Sequence, residues 1–124
     1  MHGCALFSER TAVLAGVGGT VTVLAALDAG MSTYDPVQLE GMFVPRERAL
    51  ALVDRIVRST QAERKHMPVM GEGRADIVGA GALVVEGLIH RFQAPGLVCS
   101  TQGLRYGLAR LAAEESRAAR STDD

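Results

Sequence analysis

The chain has 124 residues, enough for one modest domain and too few for two. An apolar fraction of 48% excludes intrinsic disorder, and a net charge of −1 supplies no overall basic field of the kind that captures nucleic acid. The local basic residues Arg46, Arg48, Arg55, Arg58, Arg64 and Lys65 alternate with acids at helical spacings, as on a solvated helix face. Cys4 and Cys99 are far apart and form no CxxC pair. They imply neither a metal cluster nor a disulfide framework, and a reducing, cytoplasmic compartment with inert thiols is the expectation.

Residues 11–27 carry no charge, yet the stretch is slightly short for a membrane span and has Gly16, Gly18 and Gly19 at its centre. Glycines there predict a turn between two buried elements. The run Ala-Val-Leu-Ala at 12–15 predicts a short buried strand. A helix over 20–29 follows, with Thr20 as its N-terminal cap and Gly30 as its stop. Residues 31–41 connect, with a turn at Asp35-Pro36. A short extended piece at 42–44 leads to a helix opened by Pro45. Its apolar stripe is Ala49, Leu52, Val53, Ile56 and Val57. Thr60 and Glu63 form a capping-box pattern for a second short helix, which stops before Pro68.

After a loop at 71–73, residues 74–92 predict a long helix with Ile77, Gly81, Val84, Leu88 and Phe92 along one side. Gly79, Ala80, Gly81 and Ala82 make its first half unusually small. Each glycine costs a helix about 1 kcal/mol relative to alanine, so they imply close approach of a backbone or a ligand. Pro95-Gly96 break the chain, 97–99 predict a second buried strand, and a last helix covers 103–113. Two strands joined by a long helical excursion can pair in parallel. The fold class is therefore α/β, mostly helical, with two or three short strands. Residues 1–11 read as an N-terminal extension, 12–113 as the folded part and 114–124 as a polar tail.

Three places could carry chemistry. Gly16-Val17-Gly18-Gly19-Thr20, between strand and helix, could bring backbone N–H groups and the Thr20 hydroxyl to an oxyanion. It lacks the Gly-Lys-Ser/Thr of a P-loop and the spacing of a dinucleotide fingerprint, and alone it reads as a tight turn. Arg74, beside glycines at a helix start, could grip a phosphate with both arms of its guanidinium, and Asp76 fits a first-turn acid. The third is the segment from Ser100 to Gly107, where Ser100 or Thr101 could cap the last helix. His2, His66 and His90 have no metal-ligand spacing, and Glu86 is a lone acid on a helix.

Three ordered segments, VLAGVGGTVTVLAALD at 13–28, RADIVGAGALVVEGL at 74–88 and STQGLRYGL at 100–108, resemble the Ppx/GppA phosphatases. That family comprises exopolyphosphatases and guanosine pentaphosphate phosphatases. Tyr34-Asp35-Pro36, Leu39-Glu40-Gly41 and the stretch from Thr60 to Arg64 also look like the family's, so the resemblance spans roughly residues 12–111. It implies an actin-like, ribonuclease-H-type fold, related to sugar kinases and Hsp70 ATPases. In such proteins two lobes close over a phosphate-bearing ligand with magnesium. On this analogy the chain is part of the second lobe, Gly18, Gly19 and Thr20 belong to its phosphate loop, and Arg74 lies near the ligand.

The family's catalytic glutamate and its Asp-Ile-Gly-Gly-Gly-Ser-like motif have no counterpart in the sequence. Thr101 and Tyr106 stand where the family's ending has acids. The expectation is thus a phosphatase fragment that binds polyphosphate or pppGpp. The alternative is a non-catalytic module for phosphate ligands or for a partner, either the absent lobe or another subunit. Magnesium is implied by the resemblance alone, with ligands outside this chain.

Overall fold

A computed structural model of the chain describes residues 13–121. The expected extension at 1–11, with His2 and Cys4, the start of the first strand at Ala12, and residues 122–124 lie outside them. The described elements run β1 (Leu14–Val17), α1 (Gly19–Asp28), α2 (Pro36–Leu39), β2 (Phe43–Pro45), α3 (Arg46–Arg58), α4 (Gln61–Lys65), α5 (Arg74–Phe92), β3 (Gly96–Ser100) and α6 (Leu104–Ser121). The strands form one open sheet in the order β1-β3-β2. β1 pairs in parallel with β3, from Leu14 opposite Leu97 to Val17 opposite Ser100. β2 runs antiparallel on the other side, with Val44 opposite Leu97.

One face of the sheet carries the core. Leu97 and Cys99 point into it and meet Val21, Leu24, Val44, Val53, Ile56, Val78 and Ile89 from the surrounding elements. α1 is apolar on nearly all sides and buries Val21 to Ala26, because β3, α3 and α5 surround it. Leu24, Leu39, Ile56 and Ile89 are fully buried, each contributing about 1.5–3 kcal/mol by leaving water. The expected buried strand at 12–15 is instead a one-sided strand at Leu14–Val17. Leu14 and Gly16 are half-buried while Ala15 and Val17 face outward, since β1 has a neighbour on one edge and helices on one face only.

The helix ends follow local chemistry. α1 stops in a Schellman arrangement: Gly30, at φ +66°, donates to Leu27 O, and Met31 N–H reaches Ala26 O at 3.0 Å. The capping box of α4 forms as expected, with Thr60 and Glu63 exchanging hydrogen bonds. Pro45 caps α3 from the last position of β2 rather than opening the helix. α5 has the expected bounds, but its buried side is Ala75, Val78, Gly79, Ala82, Val85 and Ile89. The expected stripe is largely exposed, with Ile77 at 66% and Val84 at 62%. The face with the smaller side chains is turned inward, where α1, α3 and α4 pack.

Two glycines show what approaches. A Cβ at Gly81 would lie 2.2 Å from the Thr20 hydroxyl oxygen and 3.1 Å from Thr20 Cβ. A Cβ at Gly79 would lie 3.0 Å from Arg64 Nη1. Both small positions thus serve packing against side chains, not a ligand. Arg64 Nε donates to Ile56 O at 2.9 Å and so satisfies the carboxyl end of α3. Arg46 does the same for α5, donating to Ile89 O and Ala94 O at 3.3 Å. These two arginines are structural. Arg58 bonds Asp54 at the surface, as the solvated-face reading implies, while the exposed Arg48 forks onto a largely buried Asp28 side chain. α6 runs past residue 113 to Ser121, continued by strong helix formers such as Ala112, Ala113 and Glu114, and none of its residues is buried. No described helix is long and apolar enough to cross a membrane.

Gly81→Ala is expected to lower stability by roughly 1–3 kcal/mol through overpacking, opposite in sign to the gain that helix propensity alone would give. An unchanged or raised thermal midpoint would contradict the Thr20 contact. Cys99 is fully buried, and burial, with the Glu40 charge adding, pushes its thiol up. Peptide mapping after iodoacetamide treatment at pH 8 should find Cys99 unmodified in the folded chain and alkylated after denaturation.

Candidate functional site

Parallel pairing sets Val17 opposite Ser100, so the carboxyl ends of β1 and β3 lie side by side. A crevice beyond the carboxyl ends of parallel strands is where α/β sheets take their ligands. Here it is a cleft of about 600 Å³. Val17, Gly18, Gly19 and Thr22 form the wall after β1, and Ser100, Thr101 and residues 103–106 form the wall after β3. Tyr34 enters from the connection before α2, and Arg74 from the first turn of α5.

The glycine segment divides into three conformations. Gly16 and Val17 finish β1, Gly18 turns at φ +111°, and Gly19 already begins α1. A left-handed φ at Gly18 is costly for any other residue. Thr20 is therefore inside the helix and does not cap it. Gly18 occupies the cap position without a side-chain hydrogen bond, and Thr22 donates its hydroxyl to Gly19 O at 3.0 Å. The first helical bond runs from Thr22 N–H to Gly18 O at 3.1 Å. The N–H groups of Gly19, Thr20 and Val21 precede it, so the helix offers them no carbonyl. They carry the partial positive charge of a helix start.

Arg74 lies across this turn. A Cβ on Gly19 would be 3.1 Å from Arg74 Nε and 3.2 Å from Cζ. A side chain at Gly19 would push the guanidinium back by a few tenths of an ångström from the start of α1. The structure thus brings Gly18, Gly19 and Arg74 together. Thr20 does not line the main cleft. Its hydroxyl packs on Gly81, and the residue edges a small recess beside Gly19, Arg74, Ile77 and Val78. Arg105, at the start of α6, is a second cation on the cleft wall. Neither arginine takes part in an ion pair among the described residues.

Ser100 and Thr101 do not cap α6. Gly103 O accepts its first bonds, from Tyr106 and Gly107 N–H, and Thr101 lies too far upstream. Instead both residues hold the Glu40 carboxylate. Thr101 donates its N–H at 2.5 Å and its hydroxyl at 2.7 Å, and Ser100 donates its hydroxyl at 3.1 Å. The Thr101 hydroxyl above all, then the Thr101 N–H, keeps the Glu40 carboxyl below the usual carboxylate range, against a smaller opposing effect of desolvation. Sequence reasoning missed this acid as a functional candidate, because its partners are 60 residues away.

The remaining candidates lie elsewhere. Asp76 accepts a hydrogen bond from the Gln61 amide, tying α5 to α4. His66 bonds Ala62 O, and His90 accepts from Arg46. No three His, Cys, Asp or Glu side chains among the described residues gather to hold a metal ion. Among the described residues no carboxylate lines the cleft, so those residues do not fit a magnesium site.

The Ppx/GppA phosphatase family model matches residues 6–114. Exopolyphosphatase 2 of Mycobacterium tuberculosis is 38% identical over 73 residues, which is 59% of this chain. The matched stretch spans 23% of that relative, about a quarter of its length. A solved exopolyphosphatase-like protein is 32% identical at a TM-score of 0.68, over 72% of this chain and 31% of its own. The Ppx/GppA member of Aquifex aeolicus superposes at a TM-score of 0.76 with 25% identity, over 88% of this chain and 36% of its own. The actin-like α/β fold expected from the three ordered motifs is therefore the fold observed, here with a small three-stranded sheet. By the family match over most of its length, the chain belongs to the Ppx/GppA phosphatase family.

Proposed function

We propose that this chain supplies one phosphate-gripping wall of an acid-anhydride hydrolase. Its ligand is the terminal phosphates of inorganic polyphosphate or of a guanosine polyphosphate. The observation that carries this reading is the convergence on one cleft of the α1 N-terminus and two arginines that have no ion-pair partner among the described residues. The N–H groups of Gly19 and Thr20 are oriented before any ligand arrives. Arg74 adds a planar fork that matches two phosphate oxygens, and Arg105 adds charge from the opposite wall. Thr20 contributes through its backbone, since its hydroxyl is committed to Gly81.

Hydrolysis breaks the bond between the terminal phosphorus and its bridging oxygen, and water supplies the new P–O bond. The groups named here stabilise negative charge on the phosphate oxygens as that bond breaks, a contribution of about 3 kcal/mol per well-placed donor. Activating the water needs a base, and among the described residues the cleft lining has neither carboxylate nor imidazole. In this reading the base and the magnesium ligands come from the other lobe of the family fold, on the same polypeptide or on a partner. The second reading, a phosphate-binding module without catalysis, is favoured by the same lack of a base in the cleft.

Calorimetry with tripolyphosphate tests the reading. The 124-residue chain should bind, and Arg74→Ala should weaken binding roughly tenfold, the loss of one charged hydrogen-bonding group. Equal affinity in the variant would remove Arg74 from the site. The pure chain should release no phosphate from polyphosphate in the presence of magnesium. Measurable, magnesium-dependent release would require a base within this chain and would contradict the division of labour proposed.

A further inference from the structure

We infer that Glu40 is a positioning residue for the cleft: it holds the turn between β3 and α6, and through that turn the place of Arg105. The inference rests on the reading that the cleft takes a phosphate chain. α6 buries none of its residues, so helix packing does little to fix where its first turn sits. The turn is fixed by hydrogen bonds instead. Glu40 takes three of them, from the Thr101 N–H, the Thr101 hydroxyl and the Ser100 hydroxyl. Ser100 Oγ in turn accepts the Gln102 N–H at 3.2 Å. The donors at the end of β3 are thereby spent on one carboxylate.

Glu40 is itself held from behind. The next residue, Gly41, adopts φ +76° and donates its N–H to Cys99 O at 2.8 Å, and Met42 O accepts the Cys99 N–H at 2.8 Å. These bonds continue the β2–β3 pairing as far as the clamp, so the carboxylate is presented from a rigid edge. The same connection carries Tyr34 into the cleft, so one segment sets both that ring and the wall bearing Arg105. Glu40 does not line the cleft. It acts through the turn rather than on the ligand, and its charge is matched by donors instead of opposing an anion.

The experiment is a double-mutant cycle read by calorimetry with tripolyphosphate on the whole chain, using Glu40→Ala, Arg105→Ala and the two combined. Glu40→Ala should weaken binding roughly fivefold to tenfold, the effect of removing a charged hydrogen-bonding partner. In the Arg105→Ala background the same change should cost less than about twofold, because neighbouring effects that act through one group do not add. Glu40→Gln keeps one acceptor for the Thr101 N–H and should recover part of the affinity. It also supplies the comparison if the alanine variant does not fold. Binding unaffected by either Glu40 change, or losses that simply multiply, would overturn this inference and leave the cleft reading standing. No binding by the unaltered chain would overturn the cleft reading, and this inference with it.

Discussion

Parallel pairing of β1 with β3 is the constraint on which the rest depends. Leu14 and Leu97 meet across the sheet, and everything from α1 to α5 lies in the connection between them. Closing so long a connection carries an entropic cost that grows only slowly with length. The buried faces of α1, α3 and α5 offset it by covering one side of the sheet. The functional consequence is geometric. Two strands that run the same way end at the same edge, so the glycine turn and the β3–α6 turn come together although about 80 residues separate them.

Close approach is the second theme, and it explains the distribution of small residues. Gly19 admits Arg74, Gly79 admits Arg64, and Gly81 admits Thr20. The first contact builds the cleft, and the other two tie α5 to α4 and α1. The arginines divide in the same way. Arg46 and Arg64 satisfy the open carbonyls at helix ends, where their charge also complements the helix dipole. Among the described residues Arg74 and Arg105 have no ion-pair partner, and both line the cleft.

Much of this was legible in the sequence where the signal is local. Gly30 as a helix stop, the Thr60–Glu63 capping box and the bounds of α5 depend on residues within a turn of each other. The family, and with it the actin-like fold, was legible from three motifs in order. Features decided by distant contacts were not. Both faces of α5 are apolar, and only the partners decide which one is buried. Thr20 has the chemistry of a cap, but the glycine before it starts the helix one residue early. Glu40 is an ordinary acid until the fold brings Ser100 and Thr101 to it.

In the function proposed, the start of α1, Arg74 and Arg105 form one anion site. Amide chemical shifts of the chain during titration with tripolyphosphate test it residue by residue. The largest changes should fall at Gly18 to Val21, at Arg74 and from Thr101 to Tyr106. The exposed basic face around Arg55 and Arg58 should stay nearly still. Changes centred on that basic face, or spread evenly with charge, would contradict it.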